Sequence, residues 1–256
     1  MTIAIETFNC DYQNYYKILE AADSEVKITL RFNKIVSRQS RKENIDKITK
    51  LIHSELSKFE WIIVGSILVD LTWYLNAIER QETDKVGDID NITKPIIDAL
   101  SGKNGVFVDD SQICGLYSCW MNKNELYIDN VLVIQIKFNN DYALFKRNLK
   151  FIQYSNATCL PINIEMTSKR DLLVAKVLVL MRKKHRKLAA NAKVIGANID
   201  RYFVCSEYDF HRTRLSGFEG ADIITGDQLN TTILNVGVKW SEVRNLFKSK
   251  EPNKIP

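Results

Sequence analysis

Apolar and polar residues first alternate regularly over residues 26–36, where Val26, Ile28, Leu30 and Phe32 face one way and Lys27, Thr29, Arg31 and Asn33 the other. A period of two predicts a half-buried strand. Over residues 41–58 the period lengthens. Ile45, Ile48, Leu51, Ile52, Leu56 and Phe59 recur near helical spacing, so a helix is expected there. Residues 62–75 are β-branched and aromatic and read as one long strand, bent at Gly65. After a polar loop over 76–87, Ile92, Ile96, Ile97 and Leu100 form the apolar face of a second helix, ended by Ser101-Gly102. Pro95 is expected in the first turn of that helix, where a missing amide costs little. Residues 106–108 read as a short buried strand. Residues 116–121 and 126–138 read as the two arms of a hairpin turning at 122–125. The tyrosine-rich stretch 6–22 carries a loosely helical pattern.

Beyond residue 140 the pattern changes. Residues 141–167 show no clear period and read as a connector, whereas 168–193 hold the strongest helical pattern in the chain. Short β-like runs follow at 202–205, 221–225 and 232–238, then a basic tail from Trp240. The order of elements predicts an α+β fold. Its expected parts are an N-terminal extension (1–25), an α+β domain (26–140), the connector (141–167) and a basic C-terminal domain of α/β type (168–256).

Composition narrows the class. The 256 residues are 45% hydrophobic and 26% charged, ordinary for a globular protein with a proper core. Five cysteines at irregular spacing and three scattered histidines suggest reduced thiols, not a disulfide frame or a structural zinc site. With no signal-peptide pattern and no apolar run long enough to span a bilayer, a soluble cytoplasmic protein without a membrane partner is expected. Charge is unevenly spread: residues 151–256 carry 17 Lys/Arg against 10 Asp/Glu, while residues 1–150 carry 19 against 21. That division suits a metal-holding half joined to a half that attracts a polyanion, although basic helices that merely solvate a surface would give the same balance.

The chemistry concentrates in two acidic clusters, Asp88-Ile89-Asp90-Asn91-Ile92-Thr93-Lys94 and Asp109-Asp110-Ser111-Gln112. Carboxylates at this density repel one another unless a cation lies among them, and all-oxygen sites are what Mg²⁺ prefers. One aspartate at a helix mouth is commonly just an N-cap, and Asp109-Asp110 has the composition of a turn. Neither reading explains Asp88 and Asp90 together, nor Lys94 one turn inside a helix start, where the dipole disfavours a cation. Asp88, Asp90 and Asp110 are therefore expected to hold one or two divalent ions for displacement at phosphorus, with Lys94 meeting the phosphate. Asp109 either coordinates or orients Asp110.

The run Asp88-Ile89-Asp90-Asn91-x-x-Lys94-Pro95-Ile96-Ile97-Asp98-Ala99-Leu100-Ser101-Gly102, followed by Gly105-Val106-Phe107-Val108-Asp109-Asp110-Ser111-Gln112-Ile113, resembles the core signature of RusA-type Holliday-junction resolvases. The likeness covers roughly residues 26–138. It implies a RusA-like mixed sheet packed by helices and a Mg²⁺-dependent endonuclease, with Mn²⁺ a plausible substitute. It further implies a homodimer that nicks four-way DNA junctions symmetrically in recombination and repair. By position in the motif, Asp88, Asp90 and Asp110 would bind metal and Lys94 would be the catalytic lysine. The chain is longer than family members typically are, and its C-terminal part resembles nothing recognised.

Two alternatives stay open: a catalytically silent DNA-binding or interaction module on a nuclease fold, and a defence-type effector nuclease acting on other DNA. The basic run Arg182, Lys183, Lys184, Arg186 and Lys187 is expected to contact DNA phosphates, or else to be a solvated helix end. His211, Arg212 and Arg214, with Glu207, Asp209 and Asp222, read as loop charges in surface pairs or as a second polar site. The C-terminal domain is also a candidate for recruiting a protein partner. Trp61, Trp73 and Trp120 are expected in the core, and Trp240 either there or stacked on a base.

Overall fold

The computed structural model describes residues 1–17, 22–78, 88–123, 128–197, 209–218 and 220–239. Two compact units emerge. The first comprises Met1–Arg147 together with Thr213–Phe218, and the second comprises Asn148–Arg212 and the described residues 220–239.

In the first unit, strands β1 (Thr2–Phe8), β2 (Asp23–Phe32), β4 (Ile67–Leu75), β5 (Ile113–Asn122) and β6 (Asn130–Asn139) form a mixed sheet in the order β1-β2-β6-β4-β5. Val26, Ile28, Leu30 and Phe32 are all buried, as their alternation predicts. Helix α1 (Lys42–Leu56) buries Ile48, Ile52 and Leu56, again as expected. The anticipated long strand is two pieces, β3 (Trp61–Ile63) and β4, interrupted at Gly65. A Cβ on Gly65 would come within 2.3 Å of the Tyr142 ring, so only glycine allows this close approach. β3 pairs with β7 (Ala143–Phe145) in a small antiparallel sheet. Trp61 and Trp73 are fully buried and Trp120 packs half-buried against the same core.

Three sequence expectations are corrected here. Residues 2–8 of the N-terminal region are a strand, and the tyrosines that follow are irregular: Tyr12 packs on Phe59 at 4.6 Å and Tyr15 meets Trp61 and Phe145. β5 and β6 are not a hairpin, because β4 lies between them, parallel to β5 and antiparallel to β6. Alternation identifies strands but not their neighbours: β2, β4 and β6 each bury every second residue, and that pattern alone does not say which of them lies beside β5. The expected turn at 122–125 lies partly outside the described residues. Finally, 106–108 are buried but contribute only isolated bridges from Phe107 to Ile63 and Ser101.

In the second unit, the stretch read as a connector without clear period supplies β8 (Leu149–Ser155) and β9 (Thr158–Asn163), an antiparallel pair. β10 (Phe210–His211) adds beside β9 and β11 (Ile223–Thr225) runs parallel to β8. Helix α3 (Lys169–Val194) starts where the pattern predicts, capped by Ser168, which accepts from the Asp171 amide. Residues 232–238, read as strand-like, instead lie at the end of helix α4 (Gly226–Asn235) and beyond it. A reciprocal capping box between Thr225 and Gln228 starts that helix and outweighs its β-branched composition. Ile152, Leu160, Leu172, Val179, Ile224 and Leu229 form this unit's core. The run 202–205, Glu207 and Trp240 lie outside the described residues. No described helix is long and apolar enough to cross a membrane.

Candidate active site

The helix that follows β4, α2 (Ile89–Leu100), presents the first acidic cluster at its mouth. Asp88 holds the N-cap position and its carbonyl accepts from the Ile92 amide at 3.1 Å, but its carboxylate makes no capping hydrogen bond. The cap reading thus accounts for the place of Asp88 and not for its side chain. Asp88 and Asp90 are both exposed. Pro95 is in the second turn, not the first, because the helix begins six residues earlier at Ile89. The carbonyl of Asn91, which an amide at position 95 would normally satisfy, accepts from the backbone N–H of Arg38 at 2.9 Å. Ile92, Thr93, Pro95, Ile96, Ile97, Ala99 and Leu100 are buried, so α2 is clamped to the core along one side and leaves Asp90, Lys94 and Asp98 on the other. These three recur every fourth residue, hence as neighbours on one face.

The second cluster is built around Gln112. Asp109 caps the 3₁₀ turn Asp110–Gln112, accepting from the Ser111 amide at 3.1 Å. The Gln112 side chain, buried, turns back: its Oε1 accepts from the amides of Val108 (2.7 Å) and Asp109 (2.9 Å). Its Nε2 donates to the carbonyls of Ile63 (3.0 Å) and Gly65 (2.8 Å). One amide side chain therefore ties the acidic turn to the break between β3 and β4. This positioning role of Gln112 was not read from the sequence, although its place three residues after Asp109 is the spacing of a capping box.

The two clusters meet through Lys94. Its Nζ donates to Asp98 Oδ1 at 2.5 Å and to Asp110 Oδ2 at 2.7 Å. The other oxygen of Asp110 accepts from Nη1 of Arg214 at 3.2 Å, and the same Nη1 lies 3.4 Å from Asp109 Oδ1. The hydrogen bond from Lys94, reinforced by its charge and that of Arg214, holds the Asp110 carboxyl below the ordinary carboxylate range. Partial burial alone would lower the Lys94 ammonium, but its bonds to Asp110 and Asp98 outweigh that and raise it above the usual lysine value.

Arg214 comes from Thr213–Phe218, which belongs to the first unit. The sequence flags it only within a loop of mixed charges, since nothing local indicates a partner a hundred residues upstream. The remaining members of that set separate. Arg212 donates to Gln153, Tyr154 donates to Asp209 at 2.6 Å, and Lys150 pairs with Asp222.

Asp88, Asp90, Asp109 and Asp110 each offer carboxylate oxygens of the hard type Mg²⁺ takes, and the side chain of Asp88 is not used as a cap. Among the described residues no three His, Cys, Asp or Glu side chains are gathered into a metal cluster. Lys94 and Arg214 supply positive charge at Asp110.

Residues 33–136 match the family model described as Endodeoxyribonuclease RusA. The likeness read from the motif is thereby borne out over that segment, which carries α1, β3, β4, α2, β5 and most of β6. The α+β architecture agrees with it. The segment contains Asp88, Asp90, Lys94, Asp109, Asp110 and Gln112, whereas Arg214 and the whole second unit lie outside the match. No curated protein matches the chain.

In the second unit, the basic run is not a helix end, because α3 continues to Val194. Lys183, Lys184 and Lys187 are exposed, and Arg182 and Arg186 are half-buried. Arg186 is engaged internally: it donates to Tyr154 Oη at 3.0 Å and to Thr158 Oγ1 at 3.3 Å, and its guanidinium lies over the Tyr154 ring.

Proposed function

We propose that the chain is a Mg²⁺-dependent, structure-selective endodeoxyribonuclease that hydrolyses phosphodiester bonds at four-way or otherwise branched DNA, as a homodimer, in recombination or repair. The observation that carries this reading is the meeting of Lys94 with Asp110, within a segment that matches an endodeoxyribonuclease family, on the helix face that also bears Asp90. Asp88, Asp90 and Asp110, with Asp109 beside them, would hold the cation, which activates water and stabilises the leaving oxygen when bound. Lys94 holds a fixed positive charge where the non-bridging phosphate oxygens gather charge in the transition state. Gln112 keeps the Asp109–Asp110 turn in place. The exposed Lys183, Lys184 and Lys187, together with Arg182 and Arg186, would add phosphate contacts that steepen the salt dependence of binding.

The test is nicking of synthetic four-way, flapped and linear DNA by the full chain in Mg²⁺ at low salt. Branched substrates are expected to be cut and linear duplex spared, with Asp90→Asn abolishing cutting while DNA binding persists. Equal cutting of linear DNA would favour an effector nuclease. Junction binding that survives EDTA, with no turnover under any divalent ion, would leave only a silent recognition module.

A further inference from the structure

The guanidinium of Arg214 lies against both acids of the second cluster. Asp109 and Asp110 are adjacent carboxylates, and their Oδ1 atoms lie 3.4 and 3.2 Å from the same Nη1. Lys94 covers only the Oδ2 side of Asp110. The placement of Arg214 is built in. Leu215, its neighbour, is buried. The Ser216 carbonyl approaches Gly102 so closely that a Cβ there would lie 3.1 Å away, and Gly217 turns the segment with a φ of +79°. The segment is thus anchored directly beside its arginine, while the Arg214 side chain itself keeps half its surface in solvent.

We propose that Arg214 is a positioning residue of the acidic centre, holding the Asp109–Asp110 pair by charge until a divalent cation takes its place. The inference rests on the metal-dependent reading above and adds a residue from outside the matched segment. A cation coordinated by Asp110 Oδ1 would meet the guanidinium at contact distance, and two positive groups cannot share that oxygen without strong repulsion. Arginine stays protonated at all accessible pH, so only exchange with another cation, or an arriving anion, moves it. Its exposed side chain leaves it free to swing out while Leu215 stays seated.

The experiment is Mn²⁺ binding to the full chain without DNA, read from the free-ion paramagnetic resonance signal. Arg214→Gln removes the competitor and is expected to bind Mn²⁺ roughly five-fold more tightly, the scale of the displaced arginine–carboxylate attraction, a pair of unit charges across about 4 Å of water. Arg214→Lys keeps the charge and should bind within about two-fold of the parent. Unchanged or weaker binding in Arg214→Gln overturns the proposal, because a merely structural residue would give that result. Should Arg214→Gln fail to fold, the parent decides: Mg²⁺ must shift the side-chain Nε–H resonance of Arg214, assigned by its loss in Arg214→Lys, and a resonance that stays put overturns the proposal. Asp110→Asn separates the two readings. If it abolishes Mn²⁺ binding while Arg214→Gln changes nothing, Arg214 alone has been misassigned. If the parent binds no Mn²⁺, or Asp110→Asn binds as the parent does, the acidic-centre reading falls and Arg214's role with it.

Discussion

The backbone amide of Arg38 donates to the carbonyl of Asn91 at 2.9 Å, making the hydrogen bond that Pro95 cannot make. A proline inside a helix ordinarily leaves one carbonyl without its donor. Here the segment leading into α1 supplies it, one turn above Lys94. The substitution Arg38→Pro removes that donor and should lower unfolding stability by about 1–3 kcal/mol in denaturant melts. Arg38→Ala keeps the amide and should fall within about 0.5 kcal/mol of the parent.

Gln112 is buried and uses both ends of its side chain, so it has no tolerant replacement. Gln112→Leu fills the space but leaves the Val108 and Asp109 amides and the Ile63 and Gly65 carbonyls without partners. A stability loss of about 3 kcal/mol is expected from thermal or denaturant unfolding. Nicking activity should fall further than DNA affinity, because the turn that carries Asp109 and Asp110 loses its tie.

Lys94 divides its ammonium between Asp98 and Asp110, and only the second is expected to serve chemistry. Single-turnover nicking should drop roughly a hundredfold or more in Lys94→Met. Asp98→Asn, which removes an exposed partner, should stay within about three-fold of the parent. A loss in Asp98→Asn equal to that in Lys94→Met would show that Asp98 belongs to the centre.

The same pair fixes a pH dependence. The carboxyl of Asp110 is depressed in the folded chain, so its contribution to stability is complete above the unfolded carboxylate value of 3.8 and is lost as pH falls through the lower folded value. Lys94 is raised, so its contribution holds below 10.5 and is lost only as pH rises through the higher folded value. The stability difference between parent and Lys94→Met should therefore be flat between about pH 5 and 9 and shrink at both extremes.

Lys146 is shifted in the direction opposite to Lys94. Its burial lowers the ammonium from 10.5 to about 8, with Nζ donating to the Leu56 carbonyl at 3.3 Å. Between those two values the unfolded chain binds more protons than the folded one, so this group makes stability rise with pH across that window. Unfolding of Lys146→Met measured from pH 7.5 to 10 should lack that rise.

The parts of this chain legible in its sequence are those where a local rule and the tertiary structure agree. Val26, Ile28, Leu30 and Phe32 alternate because one face of β2 is buried, and Ser168 caps α3 where its pattern starts. Pairing was not legible: β5 and β6 follow one another in the chain, yet β4, from upstream, lies between them. Pro95 misled because the rule that places proline in a first turn assumes no outside donor, and Arg38 is one. Of the candidate site, the motif singled out Asp88, Asp90, Lys94 and Asp110. The structure joins Lys94 to Asp110, but Arg214 was invisible, since its approach to Asp110 depends on a contact between residues 104 apart.

The tie made by Gln112 also sets an order of assembly. Its two carbonyl acceptors lie 49 and 47 residues upstream, in the break between β3 and β4. A contact of that range forms only after a loop of that length has closed, so the tie cannot precede the meeting of the two segments. The acidic turn is therefore held only once the chain upstream has come back to meet it, and a copy in which these segments have not met carries the same carboxylates on an untied turn.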